Sequence, residues 1–425
     1  MSARSYRRDQ GLPGRNGAHY TRCQQKRAQS CAHPSGQGRR IPCIQVLHSG
    51  ANRAIGVQAL TQQFIFGIQL GSLYALIALG YTLVYGVLRL INFAHGDVFM
   101  VGAFVCYYAC TRWLPFRDLD THPDLALTNT ALAVIVLMLA MAACSILGVA
   151  IERFAYRPLR NGLQVGDAHF WGFVATLPAA MSYGPSSFWG RIVLWIAIGI
   201  GAGFGLRPVV LWISRRTVRT TSRLNALITA IGVSFVLEYG GLIVFGADPN
   251  FVPKVVPETT YTLFGGIRIG TAQMVILIVS LLLMALLRYV VLYTRQGKAM
   301  RALAFDIEAA KLMGIDTDGV ISFTFALGGA LAGAGGAMVA ALTHVKITPL
   351  FGLLPGIKAF VAAVLGGPGS IPGAVLGGIL MGLAEAFVAG SRFSAFRDAI
   401  AFCILIGVLL IRPRGLLGEP ITEKV

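Results

Sequence analysis

Long runs of apolar residues without charge alternate along this chain with short polar or basic segments. A helix needs about 20 residues to cross the hydrocarbon core of a bilayer, and it satisfies its own backbone hydrogen bonds there. Most of the runs approach or exceed that length, so the pattern predicts a bundle of transmembrane helices. The predicted crossings lie in 54–88, 98–113, 125–151, 224–246, 269–287, 319–345, 359–384 and 399–411.

Polar residues at two places, and glycine and proline at a third, interrupt this pattern. The segment 92–97 follows the first run, Glu238 lies within 224–246, and Gly366-Gly367-Pro368-Gly369 divides the run 359–384 into two short pieces. Irregular backbone at membrane depth is tolerated only where it is packed in protein or lines a cavity. Ionisable groups at that depth are costly and often functional.

These interruptions predict candidate residues of a translocation path: Asn92, His95, Asp97 and Glu238. For Glu238 the alternative is a buried, hydrogen-bonded structural carboxylate. At the break 92–97, free backbone groups that face a zwitterion are one interpretation, and a solvated helix end is the other.

Composition agrees with a membrane protein. Hydrophobic residues make up 55% of the 425 residues and charged residues 13%, whereas an ordinary globular domain carries about 25% charged residues. A chain with so little charge can cover a surface that faces membrane lipid, but not one that faces water. The predicted fold class is therefore all-α, a polytopic transmembrane helix bundle.

The net charge of +18 is unevenly distributed. Residues 1–53 carry ten Lys and Arg against one acid, Asp9, and have no apolar periodicity. They are predicted to form a disordered basic tail, with a true start of translation expected downstream of it. A basic tail without an attached fold does not indicate nucleic-acid binding.

Basic residues elsewhere set the expected orientation, because Lys and Arg near helix ends favour the cytoplasmic side. They cluster in 153–160, 295–311 and 412–414, which we expect on that side. The seven cysteines include no C-x-x-C pair and no histidine at metal spacing, so no metal site is predicted.

The chain contains no G-x-x-x-x-G-K-[ST] phosphate loop, so ATP that drove transport would be bound by partner subunits. The longest internal polar stretch, 288–318, contains a helix-like segment at 301–316 that we expect at the membrane surface. Its E-A-A-x-x-x-G pattern resembles the EAA motif of bacterial ABC importer permeases, whose short helix docks on the ATPase. The residues of that pattern are Glu308, Ala309, Ala310 and Gly314.

Longer blocks extend this resemblance. GSLYALIALGYTLVYGVLRLINFAHGDVFMVGAF at 71–104 resembles the first conserved block of the branched-chain amino acid ABC transporter permease family, in the subtype of its first permease subunit. Further blocks similar to that family follow in the family's order: IERFAYRPLR at 151–160, LITAIGVSFVLEYGGLIVFG at 227–246, RALAFDIEAAKLMGID at 301–316, AFVAAVLGGPGSIPGAVLGG at 359–378 and RPRGLLG at 412–418.

The resemblance implies a subunit of the bacterial inner membrane that imports branched-chain amino acids and is not an enzyme. Its implied partners are ATP-binding cassette subunits, a second permease subunit and a periplasmic solute-binding protein, and it needs no cofactor of its own. A urea or short-amide permease of the same family is an alternative. An ion-coupled secondary transporter is a further alternative, which the Glu308 segment speaks against.

The predicted organisation departs from the family at one internal place. About eight family helices divide between 54–160 and 223–418, and the second part contains the predicted coupling helix 301–316. Between them, 161–222 is an insertion with its own apolar runs. It is predicted to be a helical hairpin, because two extra crossings leave Glu308 on the cytoplasmic side. Residues 419–425 form a short C-terminal tail.

Overall fold

The computed structural model describes residues 43–114, 126–161, 208, 223–263, 267–343, 345–412 and 414–418. The predicted hairpin in 161–222 therefore lies almost wholly outside the described residues, as do the tail 419–425 and residues 1–42. The chain divides into two compact units, Met1–Ile55 and Gly56–Val425, and the helices discussed below lie in the second, apart from the first residues of the first helix.

Helices make up most of the described structure. Two of them continue into a π-helical turn, Ala109–Trp113 after the second helix and Glu152–Tyr156 after the third. In chain order the elements are α1 Cys43–Leu88, α2 His95–Tyr108, α3 Ala126–Ile151, α4 Arg157–Asn161, α5 Arg223–Phe245, β1 Thr260–Leu263, β2 Ile267–Gly270, α6 Thr271–Tyr293, α7 Arg295–Phe305, α8 Ile307–Leu312, α9 Thr317–Leu342, α10 Leu353–Gly366, α11 Ile371–Ala389 and α12 Ala399–Ile411.

Many of these helices match the length of a bilayer crossing, which confirms the predicted all-α polytopic bundle. The helices α10 and α12 are apolar but shorter. Within the described residues, the helical segments that are long and apolar enough to span a membrane are Gln58–Leu88, Thr128–Leu159, Ala226–Phe245, Thr271–Tyr293, Thr317–Leu342 and Ile371–Ala389.

The first helix starts earlier than the sequence suggested. It begins at Cys43, so the last residues of the segment predicted to be disordered, 43–53, are helical. Adding residues to an existing helix avoids the cost of nucleating a new one. The start directly follows Pro42, and a proline cannot occupy a helix interior without breaking it.

The centre of the bundle is α9, which packs between α2 and α3 by means of small residues. A Cβ atom at Gly333 would lie 2.6 Å from the carbonyl oxygen of Ala140 on α3. A Cβ atom at Gly336 would collide with the carbonyl of Phe99 on α2. Small residues let helix backbones approach closely in membranes, where the hydrophobic effect does not drive association.

The run 359–384 folds back on itself at its glycine-rich break. Gly367 and Gly369 have φ angles of 110° and 92°, which favour glycine. The turn makes α10 and α11 antiparallel neighbours, with the backbone of Gly366 against that of Gly373. The two ends of this apolar run are therefore brought towards each other.

A short antiparallel hairpin precedes α6 and was not predicted. Strand β1 pairs with β2 in a register that places Thr260 opposite Gly270 and Leu263 opposite Ile267. The Gln62 side chain on α1 bonds the backbone of Arg268 through both its amide nitrogen, at 2.8 Å, and its oxygen, at 3.1 Å. The hairpin is thus attached to the beginning of the first membrane-spanning segment.

Candidate translocation site and coupling surface

The helix α2 begins in the interior of the bundle and not at its surface. Its first residue, His95, lies against Gly80 on α1 and Gly328 on α9, both of which are well inside helices long enough to span the membrane. The chain leaves α1 after Leu88, passes through Arg89 with a φ of 53°, and returns to this depth before α2 starts. The polar break predicted at 92–97 is therefore a re-entrant segment.

A second helix, α10, starts at the same place. Its first turn packs on the start of α2, since a Cβ atom at Gly96 would lie 2.8 Å from the carbonyl oxygen of Gly352 and 3.0 Å from the Cα atom of Gly356. Two helix N-termini thus meet inside the bundle, at backbone contact. Half-helices that meet in this way are a recurrent feature of substrate sites in transporters.

Two of the first amides of α2, those of His95 and Asp97, are already used within the protein. The N–H groups of His95 and Asp97 donate to the carbonyls of Asn92 and Ala94, at 3.2 and 3.1 Å. These two amides are therefore not free to face a zwitterion, and the interpretation of free backbone groups stays a prediction for the rest of the break. What remains at this helix start is its dipole, which favours a negative charge in the first turn.

Asp97 supplies that negative charge and faces α5. The hydroxyl of Ser234 donates a hydrogen bond to its carboxylate, and Glu238, one turn further along α5, interacts with it electrostatically. The two acidic residues are 2% and 5% exposed. The structure therefore brings together two of the four predicted path residues.

The other two predicted residues have separate environments. The side chain of Asn92 accepts a hydrogen bond from the Tyr156 hydroxyl at 3.1 Å. The ring of His95 packs edge-on against Tyr81 with ring centroids 4.7 Å apart. Both residues are buried and hold the re-entrant segment to neighbouring helices.

The predicted coupling segment consists of two helices and not one. Where a single helix was expected over 301–316, α7 ends at Phe305, Asp306 is extended, and α8 begins at Ile307. The Asp306 carboxylate caps α8 by accepting from the amides of Glu308 and Ala309, at 3.0 and 3.1 Å. An aspartate at this position terminates one helix and starts the next, since its side chain replaces the missing backbone acceptor.

The four predicted coupling residues lie on and just after α8. Glu308, Ala309 and Gly314 are exposed, whereas Ala310 is buried and anchors the helix. Gly314 has a φ of 82°, and the amide of Ile315 then bonds the carbonyl of Ala310 at 3.1 Å. The segment turns sharply there and enters α9.

Large apolar side chains stand out on the same segment. Phe305, Leu312 and Met313 are 76%, 89% and 83% exposed. Exposed apolar side chains on a polar segment at a bundle end are typical of a surface that binds another protein. We call residues 305–314 the coupling surface.

The bundle end that carries the coupling surface is firmly packed. Met300 and Leu303 of α7 are buried, so α7 is fixed to the bundle. At the start of α9, Asp318 forms an ion pair with Arg157 at 2.9 Å, and Ser322 donates to Glu152 at 2.6 Å. The basic segment 153–160 therefore lies at the same end as the coupling surface.

A second cluster of charged residues was missed in the sequence. The Glu385 carboxylate, which is 0% exposed, accepts hydrogen bonds from Tyr74 at 2.6 Å, Lys358 at 2.8 Å and Arg397 at 2.6 Å. Lys358 also pairs with Asp398 at 2.7 Å. We call these five residues the Glu385 network. It joins α1, α10, α11 and the connection that precedes α12.

Comparison with known proteins gives one family and several relatives. Residues 63–409 match the family described as the permease component of the branched-chain amino acid transport system. The chain is 37% identical over 369 residues to the high-affinity branched-chain amino acid transport system permease protein BraD of Pseudomonas aeruginosa, across 86% of this chain and 97% of that protein.

Two further relatives extend the comparison. The permease protein LivH of the corresponding Escherichia coli K12 system is 36% identical over 364 residues, which cover 86% of this chain and 97% of LivH. The autoinducer 2 import system permease protein LsrC of Yersinia enterocolitica is 26% identical over 52% of this chain and 59% of LsrC. No solved structure matches the chain.

Proposed function

Because this chain belongs to the branched-chain amino acid transport permease family, we propose that it is one transmembrane subunit of an ABC importer that carries leucine, isoleucine and valine across the bacterial inner membrane. The observation that carries this proposal is the identity of 36% and 37% to LivH and BraD over nearly their whole length. It favours amino acids over the alternative of urea or short amides. The chain has no catalytic role, and ATP is bound by partner subunits.

The coupling surface is the proposed contact with the ATP-binding cassette subunit. Its exposed apolar side chains, Phe305, Leu312 and Met313, provide the anchors that such interfaces require. Glu308 provides an exposed charge on the same short helix. Firm packing of α7 and the Asp318 ion pair transmit a movement of the ATPase to α9, the central helix of the bundle.

A second permease subunit and a periplasmic solute-binding protein complete the proposed assembly. Within this chain we place the path beside the meeting point of α2 and α10, where Asp97 and Glu238 lie. Asn92 and His95 hold the re-entrant segment in place there, through Tyr156 and Tyr81.

The proposed transport function is tested by uptake of labelled leucine, urea and acetamide in cells that carry the complete importer, with and without this chain. Leucine uptake that depends on the chain is the expected result. Uptake of urea or acetamide in its place would contradict the proposed substrate.

The coupling role is tested by Glu308→Lys. Reversal of an exposed charge on the docking helix is expected to abolish leucine uptake and copurification of the ATPase, while the chain still inserts into the membrane. Asp248→Lys, the same reversal of charge at an exposed residue after α5, is the matched control and retains both properties. Normal uptake by the Glu308 variant would show that residues 305–314 are not the contact with the ATPase.

A further inference from the structure

The acidic pair Asp97 and Glu238 lies between two helices that run side by side in the same direction. Asp97 in the first turn of α2 contacts Ser234 of α5, and further along the same helices Phe104 stacks on Phe245 with ring centroids 4.1 Å apart. The two carboxylates are therefore held on rigid elements at the depth where α2 and α10 begin.

The hydrogen bonding of the pair is incomplete. Ser234 donates to Asp97, but among the described residues no group donates a hydrogen bond to Glu238. In the same part of the chain, no lysine, arginine or histidine forms an ion pair with either carboxylate. A carboxylate with little access to water and without a donor or a cation is costly, and a second carboxylate beside it adds to that cost.

The pair thus lacks a compact positive group that donates several hydrogen bonds. An ammonium group fits this description, since it carries one positive charge and three donors. Resting on the proposed function, we propose that Asp97, Ser234 and Glu238 bind the α-ammonium group of the amino acid as it passes through the permease. A neutral amide would leave the charges of the pair uncompensated.

A metal ion fits the site less well. Calcium and magnesium take six or more oxygen ligands, whereas the site offers two carboxylates and one hydroxyl. Among the described residues, no group of three or more histidine, cysteine, aspartate or glutamate side chains is placed to hold a metal ion. The organic cation is therefore the ligand that these three side chains favour.

The α5 side of the pair is partly uncovered in this chain. Ser234 is half-buried, and Phe235 and Tyr239 beside the pair are 54% and 61% exposed. Phe235 and Tyr239 lie on the face of α5 that the described residues leave uncovered. We place the passing substrate along that face.

The first test is chemical protection of a thiol introduced at position 234 in the assembled importer. In the variant Ser234→Cys, millimolar leucine or leucinamide, which keep the ammonium group, is expected to slow labelling by a small thiol reagent. Isocaproate, which keeps the side chain and the carboxylate but lacks the ammonium group, is expected to give no protection. Adding Glu238→Gln to this variant is expected to remove protection by leucine.

Equal protection by isocaproate, or protection by leucine that survives Glu238→Gln, would overturn the inference. Failure of the introduced thiol to react with any reagent in an assembled importer would also overturn it, since the site would then be closed to solutes.

The second test keeps Ser234 and measures the maximal rate of leucine uptake with saturating, leucine-loaded binding protein, so that only steps after delivery count. Asp97→Asn and Glu238→Gln are each expected to lower this rate by about 10- to 100-fold, because each removes a charged hydrogen-bond acceptor. Asp248→Asn, at an exposed residue after α5, is the matched control and leaves the rate unchanged.

Unchanged rates in both acidic-site variants would refute the ammonium site while leaving the transport function intact. Absence of leucine uptake by the unmodified importer would refute the proposed transport function itself.

Discussion

Two clusters of buried ionisable side chains lie in this bundle, and their carboxylates differ in the hydrogen bonds that they accept. In the Glu385 network, one carboxylate accepts three hydrogen bonds from Tyr74, Lys358 and Arg397. In the acidic pair, Asp97 receives one from Ser234, and Glu238 receives none from the described residues. Both central carboxylates are at most 5% exposed, so burial does not distinguish them.

The charges of the two clusters also differ. Lys358 and Arg397 balance Glu385 and Asp398, so the Glu385 network is neutral without any ligand. The acidic pair is balanced only by a proton or by a cation from outside the described residues. A cluster that is complete within the protein is suited to hold helices together, whereas an incomplete one is suited to bind a ligand.

The side chains of the Glu385 network are exposed to solvent to different degrees. The Glu385 side chain is 0% exposed, that of Lys358 7%, that of Arg397 48% and that of Asp398 57%. Its inner members therefore contribute most to stability, and its outer members less, because solvent screens them.

The largest expected effect is that of Glu385→Gln. This change leaves the buried Lys358 ammonium without its closest buried counter-charge, which typically destabilises a protein by about 3–5 kcal/mol. The apparent Tm of the purified importer in detergent is expected to fall by roughly 5–10 °C.

The control for that prediction is the double variant Lys358→Met with Glu385→Met. Replacing both charges by apolar groups removes the uncompensated charge, so most of the lost stability is expected to return. A double variant as unstable as Glu385→Gln would show that the network does not act through the pairing of its charges.

A smaller effect is expected for Asp398→Asn. The exposed half of the network contributes only about 0–1 kcal/mol, so the apparent Tm is expected to change by no more than about 2 °C. A fall as large as that of Glu385→Gln would show that the outer members are not screened.

Asp398 is also expected to make the stability of the protein depend on pH. The hydrogen bond from Lys358 and its positive charge lower the pKa of the Asp398 carboxyl. An acid whose pKa is lower in the folded state contributes stability that is complete above its unfolded pKa of about 3.9. This contribution is lost as the pH falls through the pKa of the folded state. The apparent Tm of the unmodified importer is therefore expected to lose this contribution below about pH 4. The variant Asp398→Asn is expected to lack this part of the dependence of the Tm on pH.

Much of the bundle follows from the sequence, because a charge-free run of sufficient length has few alternatives to a membrane helix. The run predicted at 399–411 is helical over the same residues, and the breaks at 92–97 and 366–369 are both observed. Two local signals were overlooked. Asp306 before Ile307 is a helix N-cap, and the alternating Thr-Tyr-Thr-Leu and Ile-Arg-Ile segments around a Gly-Gly pair are typical of a hairpin.

The contacts within each cluster could not be predicted from the sequence, because they depend on how distant segments of the chain meet. Lys358 and Glu385 stand directly before and after the run 359–384, and only the fold-back at Gly366–Gly369 joins them. Asp97 and Glu238 were each identified as costly residues, but their adjacency depends on the parallel packing of α2 and α5. A polar residue can thus be found in the sequence, while its partner is found in the structure.

The smallest expected effect on stability, and the sharpest test of the comparison, is that of Glu238→Gln. Since no described residue donates to Glu238, the neutral amide loses no hydrogen bond, and its N–H groups can donate to the neighbouring Asp97 carboxylate. The apparent Tm is therefore expected to stay unchanged or to rise, by an amount equivalent to at most about 1 kcal/mol. The same variant is expected to transport leucine poorly, so stability and activity change independently. A loss of stability comparable to that of Glu385→Gln would mean that Glu238 is held by the protein as firmly as Glu385, and the distinction between a structural cluster and a ligand site would then fail.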